Sequence, residues 1–414
     1  MFRKGTMLTV LMGLVLALLA CTPAAPAPTP TSGKPAAGAA PTSAAPSTAP
    51  KAAFKVGAVL SLSGAFATLG LAKREAMNLV LEQVNAKGGI NGHRLDLIIY
   101  DDESDETKGV LAAKKLITSD DVLMVIGPSS SGVGMALAPV AEEAKVPNLN
   151  IASTLKLADP VRKYVFKATQ SERVMMEDIY AFLKKKGVSK IAVLNQGAAY
   201  GKGGREYIEK TAASNGFKVV AAEEYGPTDT DMRPQLTKIK ATDAEYLVIY
   251  GAEAAGALAA KQLKEMGMKL PITGPMSLVA TSALLDLAGD AFDGMLLPVG
   301  KSYIAEQLPD SDPQKAVIMS FKDAFKKKYN KDTGQWEGMG YDNLTIAVKA
   351  LEIADPDPAN LAAARDKLRD TVEGIKNLPL NVAVVSFSPT NHEGIPTGSQ
   401  VIVEVRSKKF TVLK

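Results

Sequence analysis

The chain is poor in the residues that most often carry covalent or metal chemistry. Its 414 residues include one cysteine, two histidines and one tryptophan. The cysteine, Cys21, ends an amino-terminal apolar run, so no thiol follows it. Disulfides, thiolate catalysis and cysteine-based metal sites are thereby excluded. His93 and His392 both fall in turn-like contexts and read as turn or surface residues rather than as catalytic bases. Beyond Ala20 no run of 18 or more apolar residues occurs, which argues against a transmembrane receptor. There is no basic arm either. The 48 Lys+Arg and 44 Asp+Glu are interleaved and leave a net charge of +4, so nucleic acid is not an expected partner. No internal repeat of solenoid or propeller length is visible. The acidic run "DDESDE" (Asp101 to Glu106) has Glu106 where a calcium loop needs glycine, so it reads as a solvated helix start. No metal and no cofactor are expected.

The amino terminus is informative. Arg3 and Lys4 precede "MLTVLMGLVLALLA" (Met7 to Ala20), which is short for a membrane span and reads as a secretory signal. The segment Leu18-Leu19-Ala20-Cys21 resembles the lipobox of bacterial lipoproteins, which would make Cys21 the lipidated first residue. Residues 22–53 are dominated by Pro, Ala, Thr, Ser and Gly and read as a flexible tether. The expectation is an extracytoplasmic, monomeric domain, periplasmic or on the outer face, attached to the membrane through a lipid anchor.

From Phe54 onward, short β-rich runs alternate with stretches of helical period, the pattern of an α/β protein with doubly wound parallel sheets. Expected strands are Lys55 to Leu60, Arg94 to Tyr100, Val122 to Gly127, Lys190 to Asn195, Phe217 to Glu223 and Tyr246 to Gly251. Expected helices are Leu71 to Asn85, Thr107 to Thr118, Val133 to Ala144, Val174 to Lys186, Gly203 to Ser214 and Ala254 to Met266. Such sheets bind ligands at the carboxyl ends of their strands. The loops after Leu60, Tyr100, Gly127, Asn150, Asn195 and Gly251 are therefore the candidates for a site.

The loop "VIGPSSSGVG" is the first to test. Gly127 and Gly132 have the spacing of a phosphate loop, but Val133 stands where its lysine belongs. A nucleophile elbow would need a glycine at Ser131. What is left is a strand end followed by a helix start carrying Ser129, Ser130 and Ser131, which suits a carboxylate. Capping of the helix by serine is the plainer alternative. A second loop, "PNLNIASTLKLAD", again follows a strand and offers Ala152, Ser153 and Thr154, so the two loops suggest one shared, uncharged anion cradle.

At this point a resemblance becomes specific. The stretches "SLSGAFATLG", "VNAKGGINGHRLDLIIYDDESD", "VIGPSSSG", "NIAST", "AAYGKGG" and "FSPTNHEG" occur in order from Phe54 to the carboxyl end. Together they are similar to the substrate-binding proteins of branched-chain amino acid ABC transporters. The resemblance implies the type I periplasmic binding protein fold: two doubly wound lobes joined by a three-strand hinge. It places lobe one at 54–170 plus 302–379 and lobe two at 171–301 plus 380–414. It implies that Ser131 holds the ligand carboxylate, that Ala152 and Thr154 supply further donors, with Ser153 a candidate beside them, and that Tyr200 closes from the second lobe. Packing is the competing reading of Tyr200. Where the family carries an acid for the ligand ammonium, this chain has Met276; Glu253 is a possible substitute, or simply a helix-start acid. Trp336 lines the cleft or packs the hinge.

The function implied is that of a non-enzymatic receptor that captures a branched-chain amino acid or similar small carboxylate and delivers it to ABC permease subunits. A sensory module, and an importer receptor for an aromatic or aliphatic acid lacking an ammonium, are the alternatives.

Overall fold

The computed structural model describes residues 51–413. The signal segment, Cys21 and the tether up to Pro50 lie outside the described residues. The first strand begins at Lys51, so residues 51–53, expected in the tether, pair within a sheet instead.

The first sheet is parallel and contains β1 (Lys51–Leu60), β2 (His93–Asp101), β3 (Met124–Ile126), β4 (Asn148–Asn150) and β5 (Val165–Lys167), in the order β2-β1-β3-β4-β5. Between its strands run α1 (Ala67–Ala86), α2 (Glu106–Thr118) and α3 (Ser131–Ala144). After α4 (Glu172–Lys185) comes a second parallel sheet of β6 (Lys190–Gln196), β7 (Lys218–Tyr225), β8 (Tyr246–Tyr250) and β9 (Ile272–Thr273), ordered β7-β6-β8-β9. Its helices are α5 (Ala199–Thr211), α6 (Arg233–Lys240) and α7 (Glu253–Glu265), followed by α8 (Ser282–Ala288).

The apolar runs β3 and β8 are buried throughout, as strands covered by helices on both faces must be. Each Val, Ile or Leu so covered contributes about 1.5–3 kcal/mol. Helix starts are set by side chains: Asp105 accepts the Lys108 N–H at 2.8 Å to cap α2, and Ser171 caps α4 through Val174.

Beyond β10 (Leu296–Val299), the chain adds α9 (Lys315–Tyr329), α10 (Gln335–Ala354) and α11 (Leu361–Gly374). These return to the first sheet. A Cβ on Gly340 of α10 would lie 2.5 Å from the Lys73 carbonyl of α1, so only glycine lets the two helices approach this closely. On α11, the Arg365 guanidinium donates to the carbonyls of Ile117 and Val122.

A small hairpin, β11 (Leu378–Pro379) and β12 (Val384–Val385), follows; then β13 (Val401–Arg406) pairs antiparallel with β10, and β14 (Lys409–Val412) pairs antiparallel with β13. The backbone N–H of Lys167 in β5 donates to the His392 carbonyl, and Phe166 packs edge-on to Phe387, so Phe387 and His392 lie against the first sheet. His392 is corrected: it is buried, stacked on Phe166 and bonded to Val165 and Glu373, not a surface residue. His93 sits at the start of β2, half-buried against Phe54.

Candidate functional site

Residues following six strands line a single cavity of about 210 Å³. After β1 come Phe66, Leu69 and Lys73; after β2, Ser104 and Glu106; after β3, Ser129 to Val133; after β4, Ile151 and Ser153. The other wall is built after β6 by Gln196 and Ala198 to Tyr200, after β8 by Ala252, and by Ser277. The start of α10 closes one side with Gln335, Trp336 and Met339. All six candidate loops thus contribute, because parallel strands point their carboxyl ends, and the helix starts that follow, to one side.

The serine loop does not spend its hydroxyls on capping. Ser130 is the N-cap of α3, yet its side chain makes no capping bond. The Ser129 hydroxyl is buried and has no partner among the described residues, and neither has the side-chain oxygen of Gln335 across the cavity. A buried polar atom without a partner costs about 1–3 kcal/mol, which a ligand able to hydrogen-bond would recover. The approach is tight here: a Cβ at Gly132 would meet a Glu106 carboxylate oxygen at 2.5 Å.

Three of the sequence-predicted residues face the cavity: Ser131, Ser153 and Tyr200. The Ser277 hydroxyl donates to the Gly251 carbonyl at 2.7 Å, so the Tyr200 hydroxyl, 3.0 Å away, donates to Ser277. The Tyr200 ring leans on Tyr250 at 5.1 Å, so Tyr200 both packs and lines the cavity.

Three others do not face it. The Ala152 N–H is taken by the Asn150 side chain at 3.0 Å, an Asx turn that leaves no donor for a ligand. Thr154 starts the short helix Leu155–Leu157 and accepts from Lys156, with its hydroxyl on the side of Glu172. Met276 is 1 % exposed; its sulfur meets the Gln400 amide at 3.4 Å, and the neighbouring Ser277 takes the place on the cavity wall. Glu253 opens α7, but its side chain lies outside the described residues.

Lys73 was missed. It is 1 % exposed, and among the described residues its ammonium reaches only the Ser129 carbonyl, at 3.4 Å, within the serine loop itself. Burial pushes its pKa down to about 7, against the opposite pull of Asp102. A lysine thus stands beside the serine loop together with the uncharged groups expected there. A signal was present in the sequence: Lys73 stands in the buried stripe Leu69-Lys73-Ala76-Met77-Val80 of α1, at a position where helical period calls for an apolar residue. Trp336, left between two readings, lines the cavity and is 4 % exposed.

Two parallel α/β sheets that share a cavity at their strand ends are the arrangement of a solute-binding receptor. The chain belongs to the periplasmic binding protein family, whose profile matches residues 53–409. It is 27 % identical over 306 residues to the leucine-, isoleucine-, valine-, threonine- and alanine-binding protein of Pseudomonas aeruginosa, covering 73 % of this chain and 79 % of that one. An extracellular ligand-binding receptor from Rhodopseudomonas palustris HaA2 superposes with a TM-score of 0.81 at 28 % identity, over 88 % of this chain and 100 % of that one. The leucine-binding protein LivK of Thermotoga maritima shares the fold, with a TM-score of 0.74 at 22 % identity over 87 % and 98 % of the two chains. The type I periplasmic binding fold expected from the sequence is the one found.

Proposed function

We propose that the chain is the extracytoplasmic solute-binding component of an ABC importer, taking a branched-chain amino acid or similar small carboxylate and handing it to permease subunits. The observation that carries this reading is the cavity shared by the strand ends of both sheets, with unpartnered serine and glutamine oxygens in its wall. The named specificity of the Pseudomonas aeruginosa relative supports the solute class. Within this reading, Ser131 and Ser153 hold the carboxylate, and Tyr200 and Trp336 cover the rest.

The moving parts are 54–170 with 302–395, and 171–301 with 396–414. This division is supported by the packing of α10 on α1 and by the pairing of β13 with β10. A ligand that touches both walls binds the closed form better and so shifts the hinge. Cys21 supplies the lipid anchor. No step calls for a catalytic group.

The test is a thermal-shift screen of the full chain against the twenty amino acids and a panel of small carboxylic acids. A solute bound at a hundred times its Kd stabilises the folded state by about 2.7 kcal/mol, a shift of several degrees. Failure of every member to raise the melting temperature would remove the reading.

A further inference from the structure

We infer that Lys73 is the charged member of the carboxylate cradle, and that the receptor selects organic acids carrying no ammonium group. The inference rests on the solute-receptor reading above and specifies its solute.

Lys73 comes from α1 and reaches the serine loop, so the cation and the amino-terminal end of α3 converge on the same corner of the cavity. No carboxylate among the described residues forms an ion pair with it. Apart from Asp102, whose buried Oδ2 makes no hydrogen bond among the described residues, and Glu106, the acids around it are bonded elsewhere. On the loop after β2, Asp102 accepts the Ser104 N–H at 2.8 Å and acts on Lys73 only through space, while Asp101 is held by Leu62 and Ser63. Glu106 of α2 lines the cavity beside Gly132, but it is exposed, so water screens its charge. On α10, Asp342 is occupied by Asn381 and Val382, and Glu337 by Gly334. On α1 itself, Glu75 pairs with Lys331. From α5, only the Tyr200 phenol faces the cavity.

A buried ammonium with one carbonyl partner is costly unless an anion joins it. A monoanion answers that need. An amino acid would bring its own cation into the same small space. The position where relatives' resemblance suggested an acid holds Met276, turned away from the cavity, and Ser277 beside it is already bonded to Gly251. The apolar surfaces of Phe66, Leu69, Trp336 and Met339 suit a branched aliphatic or aromatic body.

Leucine and 4-methylpentanoate differ only in the ammonium, and calorimetric titration of the full chain with each is the direct test. The acid should bind at least tenfold tighter. Its binding at pH 8, compared in two buffers of different ionisation enthalpy, should take up close to one proton as Lys73 recharges beside the anion. Affinity for the acid should correspondingly fall tenfold or so between pH 6 and pH 8.5. Lys73→Met, apolar and of similar length, should weaken the acid tenfold to a hundredfold and abolish the proton uptake. Tighter binding of leucine, unchanged in Lys73→Met and without proton uptake, would overturn the inference while leaving the receptor reading intact. The proton linkage is measured on the unmodified chain, so it decides even where Lys73→Met folds poorly. No binding by either compound or by any member of the wider panel would overturn both.

Discussion

Ser131 and Thr154 look alike in sequence, each a small hydroxyl residue just past a buried strand, yet the fold aims them differently. Ser131 lines the cavity, whereas the Thr154 hydroxyl turns to Glu172 and Lys156. Ser131→Ala should therefore weaken ligand binding about fivefold to tenfold, the worth of one hydrogen bond, while Thr154→Ala leaves affinity nearly unchanged. Calorimetry on both variants measures the contrast, and equal losses would count against this placement. Lys167 is a second buried cation, at the end of β5, donating to the Thr169 carbonyl and pulled by Glu393 and Glu172. Burial lowers its pKa from 10.5 to about 8. Below pH 8 the folded state carries its charge in a dry site. Between pH 8 and 10.5 the unfolded chain binds the proton that the folded chain lacks, so this group's contribution to stability rises with pH across that window. Lys167→Met removes that dependence. Relative to the unmodified chain it should thus be favoured at pH 6.5 over pH 10.5 by up to about 3 kcal/mol, read from urea unfolding at the two values.

Among the elements, the α1–α10 contact matters most for the site, since α1 carries Lys73 and the start of α10 carries Trp336. The contact depends on Gly340, whose missing side chain leaves room for the Lys73 carbonyl. Gly340→Ala must push the helices apart at a backbone atom that cannot swing aside. The expected cost is about 1–3 kcal/mol, seen as a melting temperature lower by several degrees, with weaker ligand binding as Lys73 shifts. Asp342, two residues further along α10, ties the segment at Asn381 and Val382 to the same helix through three hydrogen bonds. The chain is thereby held near the first sheet past residue 380. As with Lys73, an acid inside an otherwise buried stripe is a mark in the sequence, but it does not say which segment the acid holds.

For the molecule as a whole, the two walls of the cavity already touch. Lys156, after β4, pairs with Glu206 of α5 at 2.6 Å, and both side chains are more than half exposed. Such a pair contributes at most about 1 kcal/mol and is screened by salt. Lys156→Ala should weaken ligand affinity less than fivefold at low ionic strength, and the difference should vanish in 1 M salt. A loss that persists at high salt would show that Lys156 does more than hold the walls together.

By itself the sequence determined the alternation of strands and helices, and with it the strand ends at which a site had to form. These follow from local period and from the handedness of parallel crossovers, which need no knowledge of distant contacts. Helix boundaries lay within a few residues of those expected: α2 runs Glu106–Thr118 where Thr107 to Thr118 was expected. Only the tertiary structure decided which hydroxyls, charges and rings share the cavity. A side chain's direction depends on what its neighbours leave open: Asn150 takes the Ala152 donor, Gln400 meets Met276, and the helix face that buries Leu69 and Met77 carries Lys73 beside the serines. Only that folding brings Lys73 beside the serine loop, since it lies 56 residues before Ser129.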